Sequence, residues 1–181
     1  MLGAVLVTFT SPFTVAAVPT NIQETKNASP LTATDFTVVI SDHSLALGDV
    51  WNDKTMQFSG KEISSQFVGE VPFGDSSYKF WQHNYAGYSV YSSNFLWDKQ
   101  NRSVDSYIVT QISLDSSEIV TSRGVKTGDS INKLLASYGP GTLDDSDDER
   151  WLSYDTFDKR ISFQIEDNKV SHIIMVFRMD N

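Results

Sequence analysis

"TSRGVKTGDSINKLLASYGPGT", residues 121–142, is the stretch on which the reading of the fold turns. Ile131, Leu134, Leu135 and Tyr138 recur at i, i+3, i+4 and i+7, which is one face of a 3.6-residue period, and predict an amphipathic helix. Asp129 stands where an N-cap belongs, with a carboxylate able to accept the free amide protons of the first turn. Gly139 suits the left-handed conformation that ends a helix, and Pro140 cannot continue one.

Three strand-like runs follow. "WLSY" (151–154) is short, "ISFQI" places Ile161, Phe163 and Ile165 on one face, and "KVSHIIMVF" places Ile173, Met175 and Phe177 on one face with Ile174 and Val176 on the other. Glu166, Asp167, Asn168 and Lys169 predict a tight hairpin between the last two runs. The same order recurs in blurred form upstream, where "LALGDV" (45–50) echoes "VKTGDS" (125–130), "YSVY" (88–91) echoes "WLSY" and "VDSYIVTQI" (104–112) echoes "VSHIIMVFR" (170–178). A helix for the upstream unit falls within "VWNDKTMQFSG". The fold class expected is therefore α+β: two tandem modules of a helix plus an antiparallel β-meander, spanning 36–118 and 119–181, with extra length in the first.

Gly124, Gly128, Asp129, Leu134, Leu135, Tyr138 and Gly139, followed by Tyr154, Ile161, Phe163, Val170 and Ile173, resemble the SmpA/OmlA-like domains of bacterial envelopes. A tandem of two such units resembles the beta-lactamase inhibitor protein (BLIP) family. The resemblance covers the last third of the chain well and the middle third loosely. It implies a small helix-on-sheet module that serves as a binding or assembly surface without chemistry of its own. The lipid-bearing cysteine of the first family and the disulfides of the second do not carry over, because the chain has no cysteine.

With 181 residues, 40% of them apolar, the chain can bury a core. Its net charge of −9 with scattered lysines and arginines argues against nucleic acid and against a polybasic membrane anchor. Residues 1–17 form an apolar run closing on Val15, Ala16 and Ala17, which reads as an export signal cleaved after Ala17; no stable membrane insertion is expected once it is removed. Residues 18–35, rich in Thr, Asn, Ser and Pro, read as a disordered tether. An exported, cysteine-free protein is expected to be secreted, or held at the cell envelope by other contacts, in a Gram-positive bacterium.

Two fragments look catalytic but do not combine into a site. Ser130 and Lys133 have the spacing of a penicillin-type nucleophile and its base, and Lys126, Thr127 and Gly128 match a second element. The two elements overlap where that fold separates them widely, and the third is missing. His43, His83 and His172 have no zinc-like spacing. Asp144, Asp145, Asp147, Asp148 and Glu149 are dense enough in oxygen for calcium but lack the alternation and glycine of an EF-hand loop, so the loop reads as a charged tip. No cofactor and no metal is expected.

Residues 73–97 carry nine aromatics, more than two short strands need for packing. Tyr and Trp anchor protein or sugar ligands at little entropic cost, so Trp81, Tyr85, Tyr88, Tyr91 and Trp97 are the candidate ligand-binding residues. Their spacing sets Tyr88 and Tyr91 on opposite strand faces, so about half of the cluster should point inward. The function expected is non-catalytic recognition of a protein or glycan at the envelope; the alternative is an enzyme or enzyme accessory acting on wall polysaccharide, which would need two carboxylates facing one cleft about 5 to 10 Å apart.

Overall fold

A computed structural model describes residues 28–146 and 149–178; the expected export signal and most of the tether lie outside these residues. The described chain opens with a 3-10 turn, Ala33–Phe36, and the hairpin β1 (Thr37–Ile40) and β2 (His43–Ala46). A short helix α1 (Asp53–Phe58) precedes four strands, β3 (Ser64–Phe73), β4 (Ser76–Tyr85), β5 (Tyr88–Ser93) and β6 (Ile108–Leu114). Helix α2 (Ile131–Tyr138) precedes the other four, β7 (Thr142–Asp144), β8 (Trp151–Asp155), β9 (Lys159–Glu166) and β10 (Lys169–Phe177).

These eight strands form one antiparallel sheet in the order β3-β4-β5-β6-β10-β9-β8-β7. This corrects the expected fold class. Over the described residues the chain is mostly antiparallel β-sheet with two short α-helices, and it does not divide into tandem α+β helix-plus-meander modules. Two physical reasons account for the difference. Helix α1 has six residues, none of them buried, so it cannot cover a sheet of its own. The strands in turn do not stop at a module boundary, because β6 pairs with β10 through Leu114 with Ile173 and Ile112 with Met175, and one continuous core runs beneath both halves.

Alternation of side chains assigns each face of the sheet its role. Tyr88, Val90, Ile112, Leu114, Ile173, Met175, Ile161 and Phe163 point to one side and are buried. That side is covered by Val38, Ile40 and Leu45 of the β1–β2 hairpin, by Ile119 and Val125, and by Leu134 and Tyr138 of α2. The amphipathic face predicted for α2 is thus used against the sheet, although its cap sits one residue later than expected. Ser130 accepts the Lys133 amide at 3.3 Å, while the Asp129 carboxylate accepts the Lys126 amide and pairs with the Lys133 ammonium at 2.7 Å. The hairpin predicted at 166–169 forms as a two-residue turn with Asp167 and Asn168 both at positive φ, as a type I′ turn requires.

Residues 28–35, read from the sequence as the end of the tether, contact the loop before α2. Asp35, 3% exposed, accepts two hydrogen bonds from the Arg123 guanidinium, at 2.7 and 3.0 Å, and Arg123 also donates to the carbonyls of Ser29 and Pro30. The guanidinium lies over the Tyr138 ring, 5.0 Å from its centroid. This pair ties the first described residues to the loop that launches α2. Burial alone would raise the Asp35 pKa, but the Arg123 bonds, the Thr32 amide and Ser122 outweigh it and hold the group below 3.8.

Asp35→Ala leaves a buried guanidinium unpaired and should cost about 3 kcal/mol in urea denaturation. Because the folded pKa lies below the unfolded one, the stabilisation is present above the unfolded value and is lost as pH falls through the folded one. Asp35→Asn should therefore show less loss of stability on acidification below pH 4 than the parent chain. An unchanged acid limb would show that the pair is not coupled to folding.

Candidate functional site

Among the described residues, no helix or hairpin covers the face of the sheet opposite the core. Across its middle, Ser89, Ser113, Ile174 and Ser162 stand opposite one another in series on β5, β6, β10 and β9. The line continues through Asn84 to Ser64 on β3, and through Ser153 to Thr142 on β7, so it crosses all eight strands. The floor is low because its side chains are small. On one flank Gln66, Gln82, Tyr91, Gln111, Val176 and Arg160 form a parallel row. On the other flank stand His172, Gln164 and Trp151.

Within this trough lies a depression of about 510 Å³ lined by Gln82, Asn84, Tyr91, Gln111, Asp115 and His172 among others. Its side chains hold one another in place. Gln66 donates to Gln82 at 2.9 Å, Gln82 to Asn84 at 3.0 Å and Asn84 to Ser64 at 3.0 Å, a file of amides running to the edge strand. Gln111 donates to Ser113 at 3.0 Å. His172 Nδ1 bonds the Asp115 carboxylate, and the indole of Trp151 meets the His172 ring edge-on. Arg160 is held by Asp155 at 2.6 and 2.9 Å.

The five aromatic candidates are brought together only in part: Tyr85, Tyr88 and Tyr91 line the depression, and Trp81 and Trp97 do not. Tyr85 and Tyr88 are buried and stack on each other at 4.8 Å. Tyr88 donates to the Ser59 carbonyl, and burial, helped by the Glu62 charge, pushes Tyr85 up to about 12. Trp81 alternates with Gln82, so it turns away from the trough. It is 37% exposed and packs edge-on against Phe67 of the edge strand β3 at 5.4 Å. Trp97 sits half-buried in the β5–β6 connection, with its indole N–H buried and unpartnered. Of the three tyrosines that line the depression, Tyr91 is the half-exposed one. Sequence reasoning missed Gln82, Gln111, Gln164, His172 and Trp151. The signal was available in the polar member of each alternating pair in β4, β6, β9 and β10.

One other constellation has the form of chemistry. Ser92 Oγ lies 2.9 Å from His83 Nε2, and His83 Nδ1 lies 3.0 Å from Glu62, the order of a hydroxyl, imidazole and carboxylate relay. Ser92 is only 2% exposed, it faces the core side of β5, and His83 is sealed on its flank by the Trp51 ring at 4.6 Å. No substrate can reach that hydroxyl, so the relay serves to satisfy a buried imidazole. Ser130 and Lys133 are likewise apart in role, since the Lys133 amine is bound to Asp129. In the acidic loop Asp145 pairs with Arg150 and Glu149 accepts from the Trp151 indole; Asp147 and Asp148 lie outside the described residues. Among the described residues no group of three metal-ligating side chains converges, and no helix is long and apolar enough to cross a membrane.

Ser92→Ala should leave His83 short of one partner and cost about 1 to 2 kcal/mol in stability. A fluorophosphonate probe should leave Ser92 unmodified in the folded protein, as mass spectrometry of the digest would show; an adduct there would mean that the relay opens to solvent. Comparison with protein-family models, with curated proteins and with solved structures gives no match to this chain, and nothing in them identifies an SmpA/OmlA-like or BLIP-like protein.

Proposed function

We propose that the protein is a secreted, non-catalytic recognition protein of the bacterial cell envelope that takes a protein or glycan on the open face of its sheet. The observation that carries this reading is the contrast between the two faces. One is sealed by a hairpin, a loop and a helix, and the other, among the described residues, is an uncovered trough of hydroxyls and amides with Tyr91 half-exposed beside it. Burying one side of a sheet is enough to stabilise it. An eight-stranded surface whose amides are fixed by one another is already arranged for a ligand, so little side-chain entropy is lost when one binds.

The aromatic surface anticipated from the sequence contracts, in this reading, to Tyr91 with Trp151 across the trough. Hydrolysis of wall polymer is less well supported. The depression is lined by one carboxylate, Asp115, which is engaged by His172, where a glycosidase needs two facing one another. Recognition needs only the shaped, solvated surface.

Binding of the labelled protein to isolated Gram-positive cell envelopes tests this reading. Tyr91→Ala should weaken retention about tenfold, the loss expected for one aromatic anchor. Trp81→Ala, on the other side of the sheet, should leave it within about twofold. Loss of retention with Trp81→Ala and none with Tyr91→Ala would move recognition to the β3 edge and contradict the proposal.

A further inference from the structure

We infer that the ligand of the open face is a linear, uncharged polysaccharide lying across the strands along the serine-floored trough. This rests on the reading of that face as a recognition surface, and it commits to one class of ligand.

Three features of the trough select that class. The first is shape. Eight strands leave seven gaps of about 4.8 Å, so the floor runs for about 34 Å and ends at the two sheet edges, β3 and β7, without a wall at either end. A floor of that length, open at both ends, fits a polymer better than a compact molecule. The second is the polar chemistry. Serine hydroxyls and glutamine amides each donate and accept, which matches the paired donor and acceptor character of sugar hydroxyls. Tyr91 on one flank and Trp151 on the other supply ring surfaces for the apolar face of a sugar ring. Ser89, 8% exposed, also lines the depression and adds its hydroxyl to the floor.

The third feature is charge. Arg160 is paired with Asp155 and His172 bonds Asp115, while Asp144, opposite Trp151, and Glu149, which accepts from the Trp151 indole, add carboxylates to the same flank; the protein as a whole carries −9. Polyanions are repelled and find no free cation cluster here. A protein partner is the weaker fit, because interface centres are built on apolar and aromatic anchors seated in pockets, whereas the apolar side chains within these rows, Ile174 and Val176, are part-buried and flanked by hydroxyls and amides. A peptide adding to the sheet would use an edge strand and leave the face empty.

The test titrates the full-length protein with neutral chito-oligosaccharides and cello-oligosaccharides, from disaccharide to hexasaccharide, by calorimetry, and maps amide shifts by NMR. Affinity should rise about tenfold or more from the shortest to the longest neutral chain of at least one series, with shifts on β5, β6, β9 and β10. Tyr91→Ala should weaken the hexasaccharide about tenfold, and Gln111→Ala about fivefold with the fold intact by circular dichroism. Equally tight binding of fully deacetylated, cationic oligomers would overturn the inference in favour of plain attraction to an acidic protein, and shifts confined to β3 and β4 would overturn it in favour of the edge. If no neutral oligosaccharide binds while Tyr91→Ala still releases the protein from envelopes, the ligand class is wrong and the recognition face stands. If Tyr91→Ala changes neither, both readings fall.

Discussion

The pairing of β6 with β10 is the constraint on which the rest of the structure depends. Each half of the sheet is a meander whose successive strands are joined by short local connections or, in one case, by a longer loop. Only the pairing of 111–114 with 173–176 joins residues from opposite halves of the sheet. Once it forms, Leu114, Ile112, Ile173 and Met175 share one buried layer, and a single core extends from Tyr85 to Tyr154. The same pairing sets Gln111 beside Val176 and Ser113 beside Ile174 on the opposite face, so the seam that completes the core also makes the trough continuous. Core and candidate site are two sides of one set of backbone hydrogen bonds.

The covering layer is assembled from pieces that would not stand alone. The β1–β2 hairpin has two four-residue strands and α2 has eight residues, both too short for independent stability. They are held by burial of Phe36, Val38 and Leu134 and by the Asp35–Arg123 pair, which spans 88 positions of sequence. A buried ion pair of this kind adds little net energy compared with apolar packing, but it accepts only one arrangement of the segments that it joins. That selectivity suits a junction where an entering chain, a loop and a helix end all meet.

Much of the second half was legible in the sequence. The apolar spacing of 131–138 sets α2, alternation sets β9 and β10, and Asp167 with Asn168 sets their turn, because each signal is local. The fold class was misread because the decisive contacts are not local. Nothing in 108–114 or 169–177 announces that these strands adjoin, and the upstream "VWNDKTMQFSG" segment, taken as a covering helix, yields only the exposed turn and a half of α1. Strand β3 was equally hidden: every residue but Gly69 is exposed, so "SSQFVGEVPF" shows no period of burial, and Gly69 and Pro72 suggest interruption. The candidate site was half legible. Aromatic density drew attention to 73–97, but alternation sends Tyr85 and Tyr88 inward and leaves Tyr91 outside, while the serines and glutamines around Tyr91 carry no compositional signal.

Native-state hydrogen exchange tests the fusion of the two halves most directly. If the sheet is one unit, the buried amides of Ile112, Ser113, Ile173 and Ile174 exchange only by global unfolding, with the same free energy and denaturant dependence as those of Val90 and Phe163 at the centre of each half. Exchange of the seam amides at a distinctly lower free energy, with the two halves then opening at different denaturant concentrations, would mean two meanders resting against each other and would remove the continuous trough.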